Sequence, residues 1–282
     1  MWQERVFRYS LVAAATLLSM QCAEAPTLPR TSASVTAGGG IQLDQWNADM
    51  GNQTNPQIII KGFNPTNPRV GDAIVATFFW FGAPGGVTGN IIESVEDVLT
   101  TNPYTPVGNT YQLVELVTNG SVSMATYVAT NVQNFPDAGT DGSTILAVKA
   151  NLKVPAANTG LLISAWTGVA SANALGEHRS ASGSGSSYVT GAATAATTGA
   201  ISVNPGALAY AVGLSSPAAG YDGTTGWTSI GSPSDVLMRG DGSYDAQFTV
   251  SGTGGSTQPS WLWYFLTPGT WLGSVLSLNP AP

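Results

Sequence analysis

The chain has 282 residues, of which 43% are hydrophobic and 9% are charged, and its formal net charge is −7. Average soluble proteins contain about 25% charged residues, so this composition argues against a cytoplasmic helical enzyme and favours an exported protein rich in β-structure. The nine Lys and Arg residues are thinly spread, whereas nucleic-acid binding needs clustered cations. The composition therefore excludes nucleic acid as a partner.

The N-terminus has the pattern of an export signal. Residues 1–10 carry Arg5 and Arg8, and residues 11–20, LVAAATLLSM, form an apolar run. This run suits the hydrophobic region of a signal peptide and is too short for a transmembrane helix, which needs about 20 apolar residues. We therefore predict that residues 1–21 are a signal peptide and that the protein is exported.

Cys22, the single cysteine of the chain, directly follows this run. The stretch LLSMQC, residues 17–22, resembles a bacterial lipoprotein signal, in which a lipid-modified cysteine becomes the first residue. This resemblance implies lipidation of Cys22 and a membrane-anchored protein, either periplasmic or on the cell surface. The alternative is an ordinary secretory signal that is discarded together with the cysteine, which leaves a secreted protein. With one cysteine, no disulfide can form within the chain.

A flexible tether and lead-in are predicted for residues 22–56. The segment after Cys22, AEAPTLPRTSASVTAGGG, is rich in Pro, Thr, Ser and Gly, as flexible tethers often are. Residues 38–56 are polar with a few apolar anchors, so they are predicted to form a first edge strand or only a lead-in. A single β-sandwich domain is predicted for residues 57–282.

Short strand-like runs separated by turn residues fill the chain from residue 57 onward. Residues 72–81, DAIVATFFWF, are apolar on both faces, which is typical of a strand buried in the centre of a fold. Asn119-Gly120 predicts a tight hairpin between the runs 109–118 and 122–130. In residues 143–154, STILAVKANLKV, inward apolar residues alternate with outward polar ones. Further strand-like runs are GLLISAWTGV (160–169), SYVTGAATAATTGAISV (187–203), ALAYAVGL (207–214), YDAQFTVSG (244–252) and SWLWYFLTP (260–268).

Helix signals are nearly absent beyond the signal peptide. The one helical candidate is IIESVEDVL, residues 91–99, and such a helix would have to end before Pro103 and Pro106. The low-complexity segment 180–200 has the composition of a linker, but its Thr and Tyr spacing favours a pair of strands. Many short strands without intervening helices predict an all-β fold, namely a two-sheet antiparallel β-sandwich of the jelly-roll type.

Several of these runs occur in an order that is similar to a known module. They are GDAIVATFFWFGAP, SVEDV followed by GNTYQLVE, YVATNV, TILAVKANL, LLISAWTGVASANALGE, SGSGSS, TTGAISVNPGALAYAVGL and YDAQFTVSG followed by WLWYFLTP. Together they resemble a β-sandwich module recurrent in bacterial exported proteins, which is lectin-like (concanavalin-like) in shape and usually has no assigned activity. The resemblance covers about residues 57–266, and it implies no catalytic residues. The chain departs from it by inserting LTTNPYTPV, residues 99–107.

The histidine and the carboxylates are the side chains of this sequence that could take part in catalysis. A Ser/His/Asp or Cys/His system needs a histidine as base, but His178, the single histidine, lies between Glu177 and Arg179 as a solvated residue would. A retaining glycoside hydrolase needs two carboxyls about 5 Å apart. In a strand, Glu93 and Asp97 would share a face, whereas Glu96 would point away. The sequence therefore predicts a non-enzymatic protein, with a polysaccharide-acting enzyme as the alternative.

Metal and cofactor sites have little support in the sequence. One histidine and one cysteine exclude an ordinary zinc or copper site. The segments DAGTDG and GDGSYD supply candidate calcium ligands, namely Asp137, Asp141, Asp241 and Asp245. Neither segment follows the D-x-D-x-D-G pattern, and turns use the same residues, so no metal and no cofactor are predicted.

Aromatic side chains remain as candidates for ligand binding. An exposed Trp or Tyr can stack on a sugar ring, although within strands such residues usually belong to the core. Trp227, in the loop YDGTTGWTS, is the first candidate for an exposed ring, followed by Tyr221 and Tyr104. The expected role is adhesion, envelope structure or ligand binding, with a glycan or an envelope protein as the partner.

Overall fold

The computed structural model describes residues 40–51, 57–64, 66–82, 86–87, 89–137, 144–156, 158–230 and 242–282. Across these ranges nineteen β-strands form five antiparallel sheets. No helix in this part of the chain is long and apolar enough to cross a membrane. The predicted all-β antiparallel sandwich is confirmed, and the strands form five sheets where the sequence suggested two.

Sheet II is the five-stranded sheet of the N-terminal half of the fold. The run 72–81 forms its central strand, which is buried at every position from Ala73 to Trp80, as predicted for a strand covered on both faces. The Asn119-Gly120 hairpin is also confirmed, since Asn119 pairs with Val122 across a two-residue turn. In spatial order the strands are β1 (Gln42–Gly51), β9 (Thr159–Thr167), β3 (Ala73–Phe81), β7 (Val122–Ala129) and β6 (Gln112–Asn119). Residues 42–51 are therefore an edge strand of this sheet.

Sheet I covers one face of sheet II. Its inner positions alternate as predicted, because Leu146, Val148 and Ala150 are fully buried while Lys149 is half-buried. The helical candidate 91–99 is instead a strand, because it pairs along its length with residues 146–152. In spatial order the strands are β2 (Ile58–Gly62), β8 (Leu146–Leu152), β4 (Ile92–Leu99) and β5 (Thr105–Pro106).

The C-terminal half contains sheet III, sheet IV and a two-stranded ladder. The low-complexity segment 180–200 contributes strands to both sheets, so its two strands do not pair with each other. Sheet III consists of β10 (Leu175–Gly185), β19 (Gly269–Leu278), β13 (Leu208–Ser216), β16 (Ser243–Val250) and β15 (Thr228–Ser229). Sheet IV consists of β11 (Thr194–Thr197), β18 (Ser260–Tyr264) and β14 (Gly220–Asp222), and the ladder consists of β12 (Ile201–Val203) and β17 (Gly255–Thr257).

Three apolar clusters show that the sheets stack in the order I, II, III, IV. The first cluster joins sheets II and III, with Phe79 and Trp166 packed on the side of Tyr210 and Leu276. A second cluster lies between sheets I and II, and a third lies between sheet III and sheet IV with its ladder. Because each large apolar side chain contributes about 1.5–3 kcal/mol when it is fully buried, these clusters are the main source of stability.

The two halves of the stack repeat one strand topology. In sheet II, β3 lies between β9 and β7, and in sheet III, β13 lies between β19 and β16. The registers correspond as well, since Ala73 at the start of β3 pairs with Trp166, and Leu208 at the start of β13 pairs with Leu278. The outer sheets share the order β2-β8-β4 and β11-β18-β14. The fold is therefore a pair of equivalent sandwiches that meet through their five-stranded sheets.

Candidate functional site

Sheet IV presents an outer face that carries a half-buried tyrosine, Tyr264. Side chains of a strand alternate between its faces, and in β18 Trp261 and Trp263 are buried against sheet III while Leu262 and Tyr264 are half-buried on the opposite side. Gly220 of β14 pairs with Tyr264. Because glycine has no side chain, this neighbour leaves the flank of the Tyr264 ring uncovered.

Two tyrosines and a carboxylate meet on this outer face. The rings of Tyr188 and Tyr264 are perpendicular, with their centroids 5.7 Å apart, in the edge-to-face geometry that aromatic pairs prefer. The Tyr264 hydroxyl donates a hydrogen bond of 2.5 Å to Oδ2 of Asp222, and this hydrogen bond raises the pKa of Tyr264. Tyr188 is 43% exposed, so its ring is available to a ligand.

The loop that carries Tyr188 is fixed to the segment after β18. The backbone N–H of Tyr188 donates to the Phe265 carbonyl at 2.8 Å, and the Ser187 hydroxyl donates to the Leu266 carbonyl at 2.6 Å. These bonds place the turn that carries Val189, which is 68% exposed, beside Leu266, which is 66% exposed. We name the surface formed by Tyr188, Val189, Asp222, Tyr264 and Leu266 the tyrosine platform.

A buried ring supports the tyrosine platform from below. Phe265 is fully buried and packs against Gly185 and Gly269, which pair with each other across β10 and β19. A Cβ atom at either glycine would overlap the phenyl ring. The two glycines therefore create the space that holds Phe265, and with it the backbone that positions Tyr188 and Leu266.

A buried acid of sheet III faces the inner side of sheet IV. Asp245 is 3% exposed, and its Oδ2 accepts a hydrogen bond of 2.8 Å from Trp261 Nε1. Burial raises the pKa of Asp245, while hydrogen bonds from Trp261 and Tyr221 act in the opposite direction. Asp245 lies on β16 of sheet III and faces the inner side of sheet IV, whereas Asp222 is on the outer face of sheet IV, so these two carboxyls cannot act on one substrate.

Of the three aromatic candidates predicted from the sequence, two pack against the same apolar cluster and the third lies on the other side of the stack. Trp227 is half-buried and packs against the cluster between sheets III and IV. Tyr221 is half-buried too, with its ring 5.5 Å from that of Trp263. Tyr104 is 47% exposed but precedes β5 in sheet I, the outer layer on the other side of the stack. The structure does not bring the three together.

The two calcium candidates within the described residues, Asp137 and Asp245, have different surroundings. Asp137 accepts a hydrogen bond from the Val70 N–H at 3.0 Å, and Asp245 is buried as described above. Asp141 and Asp241 lie outside the described residues, as does Cys22. Within the described part of the chain, no group of three or more His, Cys, Asp or Glu side chains is arranged to hold a metal ion.

The carboxylates of β4 have separate roles. Glu96 accepts hydrogen bonds from Lys149 Nζ at 2.7 Å and from Asn151, and the Lys149 bond is the main cause of its lowered pKa. Asp97 is fully buried and accepts the backbone and side-chain N–H groups of Asn109, while burial raises its pKa. A β-bulge between Ile92 and Ser94 leaves Glu93 exposed. The expectation that Glu93 shares a face with Asp97 is therefore wrong, because the bulge interrupts the alternation.

His178 joins the two halves of the stack. Its Nδ1 atom is 2.7 Å from Oε1 of Glu115, which lies on β6 of sheet II, whereas His178 lies on β10 of sheet III. The histidine side chain is 39% exposed. Glu115, rather than the sequence neighbours Glu177 and Arg179, is thus the partner of this histidine.

A third buried acid, Asp72, lies beside β1. Asp72 is 3% exposed, and burial, together with the charge and hydrogen bond of Asp44, raises its pKa to about 8. The backbone N–H of Arg69 donates to Oδ2 of both carboxyls, at 3.1 Å to Asp44 and 3.2 Å to Asp72. The Arg69 Nε atom is 3.7 Å from Asp44 Oδ1. This pair ties the edge strand β1 to the turn before β3.

The residues of the tyrosine platform were not candidates in the sequence analysis. Tyr264 carried one usable signal, since it alternates with Trp261 and Trp263 and must face away from them. Tyr188 carried none, because it lies in a low-complexity stretch whose partner at Phe265 is far away in sequence. Their proximity follows from the backbone hydrogen bond between Tyr188 and Phe265, the residue after Tyr264.

The fold and this surface define a stacked antiparallel β-sandwich protein with an exposed tyrosine surface on one outer sheet. Comparison of the chain with protein-family models, with curated proteins and with solved structures gives no match. The function must therefore be argued from the geometry of the chain itself.

Proposed function

We propose that this protein is an exported, non-enzymatic binding module that is held at the cell envelope by a lipid on Cys22 and binds its ligand through the tyrosine platform. The observation that carries the proposal is the exposure of Tyr188, Val189 and Leu266 on one preformed surface. Contiguous exposed apolar side chains on a soluble fold mark interaction sites. Tyrosine is also enriched at such sites.

The positions of the carboxylates favour binding over catalysis. Glu96 and Asp97 are neighbours on β4, so they point to opposite faces of sheet I, and each is engaged by protein groups. Asp222 and Asp245 are likewise separated by sheet IV. A glycoside hydrolase needs two carboxyls that face one substrate, and neither of these pairs does so. Asp44 and Asp72 are close together, but Asp72 is 3% exposed and is hydrogen-bonded to Asp44, so this pair does not face a substrate either. We therefore do not favour the enzymatic alternative.

Co-sedimentation with an isolated bacterial envelope fraction tests the binding function. The wild-type protein is expected to sediment with the envelope, and the double variant Tyr188→Ala/Leu266→Ser is expected to remain in the supernatant. Tyr104→Ala is the matched control, since it removes an equally exposed tyrosine from sheet I. Equal sedimentation of all three proteins would rule out the platform as the binding surface.

The anchor requires a separate experiment in a bacterial expression host. Labelled palmitate is expected to enter the wild type but not Cys22→Ser, and the variant is expected to be released or to accumulate as a precursor. Stable anchoring needs two or three acyl chains, because one chain gives only marginal membrane binding. Equal membrane retention without label in either form would show that the cysteine belongs to a discarded signal.

A further inference from the structure

The strongest unassigned feature is the chemical character of the tyrosine platform. It combines aromatic surface, a carboxylate and backbone that is held in place, and the described residues that follow Arg179 in the chain carry almost no charge. In the described residues of 180–282, the only charged side chains are Asp222 and Asp245, and Asp245 is buried. A ligand that binds here meets aromatic rings, hydroxyl groups and one exposed carboxylate.

We infer that the tyrosine platform is a subsite for a neutral polysaccharide, and this inference rests on the function proposed above. The face of an aromatic ring is electron-rich, so it attracts the C–H groups on the apolar side of a pyranose. Tyr188 offers such a ring at 43% exposure, and its perpendicular contact with Tyr264 fixes its orientation. Stacking on Tyr188 therefore supplies the apolar half of sugar recognition.

Asp222 supplies the polar half. Its Oδ2 atom accepts the Tyr264 hydroxyl, and its side chain is exposed. A carboxylate has about four lone-pair sites, so it can accept sugar hydroxyl groups while it keeps the bond from Tyr264. The Ser187 hydroxyl donates to the Leu266 carbonyl, which leaves the Ser187 oxygen as a further acceptor at the rim.

The same carboxylate argues against other classes of ligand. An apolar protein surface or a lipid bilayer would strip water from Asp222 without providing donors, which is costly for a charged group. An acidic glycan would meet repulsion from Asp222 and find no cation beside it in the described residues of this region. Neutral sugars are free of both penalties because they are uncharged and rich in hydroxyl donors.

The platform is also preorganised. The hydrogen bonds from Tyr188 and Ser187, together with Phe265 held between Gly185 and Gly269, fix the loop before any ligand arrives. Binding then loses little conformational entropy, which improves the affinity that a small contact surface can reach. A shallow, rigid surface of this kind suits one or two sugar units of a long chain.

The test uses the purified full-length protein on a glycan array that carries neutral glucans, xylans and mannans beside alginate, polygalacturonate and hyaluronan. Binding to at least one neutral glycan and to none of the acidic ones is expected. An oligosaccharide of the best neutral glycan is then titrated against variants by calorimetry. Tyr188→Ala is expected to weaken binding about tenfold or more, since loss of one aromatic contact of about 1.4 kcal/mol corresponds to a factor of ten.

Two further variants separate the roles of the contacts. Asp222→Asn keeps the shape of the side chain but is a poorer acceptor, so a severalfold loss of affinity is expected, whereas Tyr104→Ala should bind like the wild type. Circular dichroism must show unchanged β-structure for each variant. Binding only to acidic glycans, or equal affinity of Tyr188→Ala and wild type, would overturn the inference.

The envelope assay distinguishes failure of this inference from failure of the proposed function. If no neutral glycan is bound but sedimentation with the envelope still depends on Tyr188, the platform binds a different class of ligand and only the glycan inference is wrong. If sedimentation is also independent of the platform, both are wrong. Self-association that Tyr188→Ala abolishes, measured by analytical ultracentrifugation, would instead identify a second copy of the chain as the occupant.

Discussion

Replacement of Asp72 by Asn is expected to stabilise the protein near pH 8 and to leave its stability almost unchanged near pH 4. In the folded protein, burial and the neighbouring Asp44 raise the pKa of Asp72 from 3.8 to about 8. The groups that face Asp72 are Asp44 and the backbone and side chain of Arg69. Asn has nearly the same shape, is neutral at every pH, and can still accept from the Arg69 N–H and donate to Asp44.

The direction of the pH dependence follows from the two pKa values. Below the unfolded value of 3.8 both states hold the proton, and between 3.8 and about 8 only the folded state does. Unfolding therefore releases a proton in this range, so the stability contributed by the protonated Asp72 is complete below pH 3.8 and is lost as the pH rises towards 8. One proton gives a slope of at most about 1.4 kcal/mol per pH unit.

Urea unfolding followed by tryptophan fluorescence at each pH unit from 4 to 8 measures this effect. The difference in the free energy of unfolding between Asp72→Asn and the wild type is expected to be near zero at pH 4 and to grow in favour of the variant as the pH rises. Glu93→Gln, which neutralises an exposed carboxyl, is the control and should show no such trend. A difference that is independent of pH, or a wild type that is more stable than the variant at pH 8, would refute the reasoning.

Three other substitutions test separate parts of the fold by the same unfolding assay. Gly269→Ala places a methyl group against the Phe265 ring and is expected to lower the free energy of unfolding by about 1–3 kcal/mol. Unchanged stability would mean that the ring is not held tightly between Gly185 and Gly269. Glu115→Gln weakens the contact with His178, which is partly exposed, so a loss below about 1 kcal/mol is expected, and a larger loss would show that this contact holds the halves together. Asp97→Ala removes a buried carboxylate that accepts two hydrogen bonds from the half-buried Asn109, and a loss of about 1–3 kcal/mol is expected; unchanged stability would contradict a structural role for that acid.

Patterns of apolar residues were sufficient to predict the class of fold. The run 72–81 is apolar at nearly every position because β3 is covered by sheet I on one face and by sheet III on the other. The alternation of apolar and polar residues in 143–154 indicates that β8 is covered on one face only. Residues 91–99 were wrongly predicted as a helical candidate, because three acids and a β-bulge interrupt the alternation of apolar and polar residues in β4. Local patterns also say nothing about which strands pair, so the repeated topology of the halves stayed invisible.

The candidate site could be predicted far less well. Trp227 looked exposed because it lies between glycines and threonines, but it packs against the core below sheet IV. Tyr188 and Asp222 are each ordinary loop or edge residues in the sequence. They become neighbours only because both flank β18 and the segment after it, which is a tertiary effect. The acids Asp72 and Asp245 are buried for the same reason, and no local signal distinguishes them from turn aspartates.

The repeated topology has a consequence for how the molecule assembles and changes. The surface between sheets II and III corresponds to the contact of a symmetric dimer, but residues 168–174 join the two partners in one chain. A short connection of this kind gives an effective concentration of the order of millimolar, so assembly does not depend on how much protein the cell makes. The two halves also need not have the same sequence, because a substitution on one outer sheet is not duplicated on the other. Accordingly, the outer sheet of one half carries lysines, whereas that of the other half carries tyrosines and hydroxyl groups.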